Sequence, residues 1–198
     1  MSSKPADSPY IAWIDLETTG NRADDSIIEV GFVLTDRDLN EVISRSLVVK
    51  PLTWHLLRRR MTDVVWQMHD KNGLLNDLAM GTGFEVGEAD KEIAAILKVY
   101  GKGNHIPFAG SGVAHFDRQY IKREMPKTND LLSYWAYDIG SMRRFLQWWG
   151  VETPGSDLSL AKTHRALDDI REHINETRII RDRLASNADK AWRYDDLD

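Results

Sequence analysis

A chain of 198 residues is long enough for one ordinary domain with a sizeable core. Hydrophobic residues make up 42% and charged residues 29%, which excludes disordered and fibrous classes, and the lack of cysteine excludes disulfides, zinc thiolates, iron–sulfur clusters and thiol nucleophiles. Acids outnumber bases 31 to 26, for a net charge of −5, which argues against a long basic groove on nucleic acid and leaves room for a small site where bound metal supplies the positive charge.

Residues 1–9 are polar and lack the apolar core of a signal peptide, and no later run approaches a membrane span. A cytoplasmic protein is expected, with a flexible tail over 1–9, one domain over 10–187 and an acidic tail over 188–198. Tyr10 to Ile14 is a short apolar and aromatic run that predicts a buried strand, ending in Asp15-Leu-Glu17-Thr-Thr-Gly20. Side chains alternate along a strand, so Asp15 and Glu17 share one face and Leu16 takes the other. Two buried carboxylates on one face are costly without a cation, and a hard divalent ion such as Mg²⁺ or Mn²⁺ suits oxygen ligands. Taken alone, such a pair could equally be two solvated acids at a strand end.

Ile27 to Leu34 and Glu41 to Val49 predict two further strands around a turn at 36–40, and the short polar links predict an antiparallel meander. Glu29, inside the second strand, reads as a structural acid hydrogen-bonded within the sheet rather than as another ligand. Residues 52–78 predict short helices broken at Gly73, with the three arginines at 58–60 on a solvated face. Trp66 reads either as core or as a functional ring. Thr82 and Glu85 resemble a capping box before a helix that turns Val86, Ala89, Ile93, Ile96, Leu97 and Tyr100 to one side. His105 to Ala109 predicts a fourth strand, Val113 to Ile121 a helix with Asp117 in its early turns, and Tyr134 to Ile139 a fifth strand. A helix over 140–149, a loop over 151–159 and a last helix from about Thr163 to Ala185 complete the chain.

The second chemical signal is His164-Arg-Ala-Leu-Asp-Asp169, where a histidine just ahead of a helix and an acid in its first turns can share one site. Asp168 is rotated about 100° from Asp169 on a helix and should face solvent. In this order, Asp15-x-Glu17, Asp117 and His164-x4-Asp169 resemble the DEDDh class of 3′→5′ exonucleases, which are DnaQ-like members of the ribonuclease-H-like superfamily. Within it the chain most resembles the oligoribonucleases, through Trp13-Ile-Asp-Leu-Glu17, Trp66 with Asn72-Gly-Leu74, and His164 to Glu172.

That resemblance implies an α/β fold with a mixed five-stranded sheet, an antiparallel three-strand meander plus two parallel strands, and helices on both faces. It implies two divalent ions, Mg²⁺ or Mn²⁺, held by Asp15, Glu17, Asp117 and Asp169, with His164 as general base. It also implies cleavage of short single-stranded RNA to nucleoside 5′-monophosphates. The backbone near Leu16 and Thr18 would meet the terminal ribose, Trp66 would stack a base, and a homodimer would bring Tyr134 to the partner's site.

The match has departures. The oligoribonuclease Tyr-Arg before the fifth-strand Asp is Tyr134-Trp135 here, the Ser two positions after it is Gly140, and the Leu after the first turn is Asn21. Arg143 or Arg144 could supply the missing charge. The alternative reading is a broader exonuclease on single-stranded DNA or RNA 3′ ends, and a silent binding module would have no use for the full set of acids.

Overall fold

The computed structural model describes residues 8–51, 54–81, 83–151, 153 and 163–186. Most of the expected N-terminal tail, the acidic C-terminal tail, Thr82 and most of the 151–159 loop lie outside them. The expected meander is β1 (Ile11–Thr18), β2 (Ile27–Thr35) and β3 (Glu41–Val48), paired antiparallel. Asp36 shapes the turn between β2 and β3, its carboxylate accepting from the amides of Asp38 at 2.9 Å and Asn40 at 2.8 Å.

After β3 the chain forms α1 (Leu57–Arg60), α2 (Asp63–Lys71) and α3 (Leu74–Ala79). Thr62 caps α2 by accepting from the Val65 amide, and Gly73 separates α2 from α3 at φ 82°, a conformation that favours glycine. Helix α4 (Val86–Gly101) opens on a capping box made by Glu85 and Glu88, not on the expected Thr82–Glu85 pair. Then come β4 (Ile106–Gly110), α5 (Asp117–Glu124), α6 (Pro126–Asn129), β5 (Leu132–Asp138), α7 (Ile139–Trp148) and α8 (Ala166–Ser186).

The five strands form one sheet in the order β3-β2-β1-β4-β5, with β4 parallel to both β1 and β5. Alternation along β1 divides the core. Ala12, Ile14 and Leu16 pack with α4 and α5 residues such as Ile93 and Ile121, whereas Trp13 packs on the opposite face with Ile139 of α7 and Ile170 and Ile174 of α8. Helices therefore cover both faces, and Asp15 and Glu17 share the α8 side with Trp13. A bulge at Ile28, where the register slips between Glu17 and Thr18, directs that side chain into a third cluster with Met61, Leu74, Leu75 and Leu78.

Two helix starts differ from expectation. Helix α5 begins at Asp117 rather than near Val113, because the Asp138 carboxylate takes the amides of Gly112 and Ala114 and holds the preceding residues in a turn. Helix α8 begins at Ala166 rather than Thr163, with His164 ahead of it at φ 48°. Its first residue lies directly on β2: a Cβ at Gly31 would stand 2.6 Å from the Ala166 carbonyl carbon. Only a residue without a side chain lets α8 come that close, and this approach brings its first turn to β1.

Candidate active site

Parallel pairing of β1 with β4 reaches only Trp13 and Ala109, so the end of β1 runs on beyond that neighbour. There the Leu16 amide donates to Asp117 Oδ1 at 3.0 Å, which sets the first turn of α5 against the Asp15–Glu17 stretch. From the other direction, α8 brings Asp169 to the same strand. Ligand atoms of Glu17, His164 and Asp169 all lie within 4.8 Å of one another. Asp168 is exposed, as its helical phase requires.

The electrostatics of this cluster are unfavourable without a cation. Burial, with the carboxylates of Asp169, Glu29 and Asp117 adding to it, pushes Glu17 up to about 9. Burial also raises Asp117 to about 7, against the Leu16 amide, which lowers it. Nearby Arg165 opposes the rise at Glu17 and does not overcome it. Converging buried oxygens at this spacing, with one imidazole beside them, are a donor set that fits a hard divalent ion.

The surrounding groups hold the cluster in place. Glu29 is fully buried, and its carboxylate accepts from Arg165, from the Ala166 amide at 3.1 Å and from Ser46 Oγ at 3.1 Å. It thus acts as a structural acid, although its bonds reach beyond the sheet to the start of α8. Arg165 also pairs with Asp77 of α3 at 3.0 Å. Arg143, one of the two arginines offered for the missing charge, is instead committed to Glu176 by two hydrogen bonds of 2.7 and 2.6 Å that tie α7 to α8. At Gly140 a Cβ would stand 2.5 Å from Ser111 Oγ, so the glycine lets α7 begin against the loop that leads to Asp117.

Beside Glu17 lies a cleft of about 340 Å³, lined among others by Leu16, Thr18, Val65, Met68, Phe116 and Arg60. Leu16 and Thr18 were expected there; Phe116 and Arg60 were not. Trp66 packs against the Ile28 and Leu74 cluster and carries the Arg58 guanidinium over its ring at 4.7 Å, while its helix neighbours Val65 and Met68 reach the cleft. His69 was also missed. It is fully buried, its Nε2 donates to the Thr18 carbonyl at 3.1 Å, and its Nδ1 lies 3.8 Å from Glu17 Oε2. The spacing of Val65, Met68, His69 and Asn72 on one helical face was a signal that could have found it. Tyr134, on the edge strand β5, is 86% exposed and lies apart from the acid cluster.

The chain belongs to the RNase_T exonuclease family, whose sequence profile matches residues 12–177. It is a 3′→5′ exonuclease with a ribonuclease-H-like fold. Its place within that family is among the oligoribonucleases. The oligoribonuclease of Streptomyces griseus is 34% identical over 176 residues, covering 87% of this chain and 85% of that one. The oligoribonuclease of Francisella tularensis subsp. novicida is 28% identical, with 89% and 96% covered.

Among solved structures, exonuclease I of E. coli in complex with a dA16 oligonucleotide superposes with a TM-score of 0.69 at 15% identity, covering 92% of this chain and 43% of that one. Exonuclease I of Methylocaldum szegediense gives 0.67 at 20% identity, with 89% and 41% covered. The chain spans about two fifths of those proteins, and the likeness to them is one of fold.

The raised carboxyls make stability depend on pH. Unfolded, Glu17 and Asp117 titrate near 4.5 and 3.8; folded without metal, near 9 and 7. Between these values the folded state binds more protons, so their contribution is complete at low pH and is lost as pH rises through the folded values. The metal-free protein should melt at lower temperature at about pH 8 than at about pH 5, and Mg²⁺ or Mn²⁺ should raise the melting temperature most at the higher pH. Melting curves in chelator, repeated with each ion, check both expectations.

Proposed function

We propose that the chain hydrolyses short single-stranded RNA from its 3′ end, in the cytoplasm, releasing nucleoside 5′-monophosphates. The observation that most supports this reading is the convergence of Glu17, His164 and Asp169 within 4.8 Å, against the strand that also carries Asp15. Asp15, Glu17, Asp117 and Asp169 would hold two divalent ions, Mg²⁺ or Mn²⁺. When bound, such ions lower the pKa of a coordinated water and offset charge on the phosphate and on the leaving oxygen.

The rest of the chemistry falls to the chain's own residues. A ring nitrogen of His164 takes a proton from the attacking water as its oxygen bonds to phosphorus. The P–O3′ bond then breaks, and the released 3′ oxygen takes a proton from solvent to become the 3′ hydroxyl of the shortened RNA. Leu16 and Thr18 at the cleft wall meet the terminal ribose. A base enters between Phe116, Val65 and Met68 in the cleft wall, and Trp66, on the same helix as Val65 and Met68, would have to turn out from the Ile28 and Leu74 cluster to stack on it. Net negative charge suits a substrate with few phosphates to neutralise.

Cleavage of 5′-labelled RNAs and DNAs of two to about twenty nucleotides tests the activity. The shortest RNAs should turn over fastest; equal rates on all lengths and both sugars would favour the broader single-strand exonuclease. His164→Ala should lower kcat about 10²- to 10⁴-fold and keep the rise in melting temperature on adding Mn²⁺. Loss of that rise would make His164 a ligand instead.

Base stacking has its own test. Replacing a stacking ring costs about 1–3 kcal/mol per base, so Phe116→Ala and Trp66→Ala should each raise KM for base-bearing substrate more than for one with an abasic 3′ end. A ring whose loss leaves that ratio unchanged is not a stacking partner.

We propose further that the working unit is a homodimer. The edge strand β5 carries Tyr134 at 86% and Trp135 at 55% exposure, apolar surface suited to a second copy, with Tyr134 of each copy contributing to the other's site. Sedimentation at assay concentration should give a dimer, and a fully active monomer would refute it.

A further inference from the structure

His164 does not owe its position to helix α8. It stands two residues before the first helical residue, at φ 48°, a left-handed conformation that non-glycine residues seldom adopt unless their surroundings hold them there. The chain that follows is well anchored: Arg165 bonds to Glu29 and Asp77, and the Ala166 amide donates to Glu29. Those contacts fix where the helix begins and leave the peptide of His164 itself to be oriented.

Among the described residues, the side chain of Asn72 reaches it. The Asn72 Nδ2 group donates to the His164 carbonyl oxygen. Asn72 ends α2, and its Oδ1 accepts from the Leu74 amide at 3.0 Å, in the first turn of α3. The second bond dictates which way round the amide sits: oxygen toward α3, nitrogen toward His164. An amide side chain offers a donor and an acceptor together, and both ends are used here.

We infer that Asn72 is a positioning residue for His164: by holding the His164 carbonyl it keeps the left-handed backbone, and with it the imidazole, within 4.8 Å of Glu17 and Asp169. The inference rests on the reading of His164 as general base. It makes the α2–α3 corner part of the catalytic apparatus, although no atom of Asn72 needs to touch substrate.

The substitution Asn72→Asp separates the two bonds. A carboxylate still accepts from the Leu74 amide, so the cap on α3 survives, but it has no donor for the His164 carbonyl. The experiment is a double-mutant cycle on a labelled diribonucleotide with Mn²⁺, comparing wild type, N72D, H164A and the double variant, with melting curves as a folding control. Expected are a fall in kcat of about tenfold in N72D with KM within about twofold, as for a slightly misplaced base, and no further fall when N72D is added to H164A. Two results overturn the inference while leaving the base in place: unchanged kcat in N72D, or the same fall in both backgrounds, which would mark a general structural role. Full turnover in H164A alone overturns both the base and its positioning, and is read without reference to Asn72.

Discussion

The burial of carboxyl groups side by side is the constraint around which this structure is arranged. Burial first, and the nearby carboxylates of Asp169, Glu29 and Asp117 after it, hold the Glu17 carboxyl far above its ordinary range. Removing each ion from water costs several kcal/mol even after relaxation. The sheet can sustain this because both its faces are packed, with Trp13, Phe32 and Phe108 fully buried, and each large apolar side chain so buried contributes about 1.5–3 kcal/mol. A divalent ion among these oxygens would turn the same cost into binding.

Three elements distant in the chain must meet for that to happen, and each has a local cause. The strand β1 outlasts its pairing with β4, which frees the Leu16 amide for Asp117. The side-chain-free surface at Gly31 lets the first turn of α8 lie against β2. Glu29 then locks that turn through Arg165 and the Ala166 amide. Replacing Glu29 would leave Arg165 to Asp77 alone, so the fixed charge of the second strand belongs to the architecture of the site even though it is not a ligand in the proposed set.

Of the departures from the oligoribonuclease pattern, Trp135 and Gly140 lie on β5 and α7, whereas Asn21 lines the cleft beside Glu17; none of them is one of the clustered acids. Gly140 lets α7 start in close contact with Ser111, and Trp135 adds exposed ring surface on the edge strand. The acid cluster on β1, α5 and α8 and the exposed aromatic surface of β5 are thus built on separate elements.

Much of the site was legible because strand alternation and helical phase are local rules. The spacing of Asp15 and Glu17 put them on one face, and the helical phase of Asp168 and Asp169 separated an exposed acid from a buried one. The order of strands and helices, and the class of enzyme, followed from the same patterns joined to motif order. Other contacts depended on which residues the fold brings together across long stretches of chain. Arg143 found Glu176, His69 found Thr18, Asn72 found His164, and Phe116 took a place at the cleft. No periodicity encodes such pairings, because a polar side chain's partner is set by the packing of whole elements, and only the assembled sheet and helices decide it.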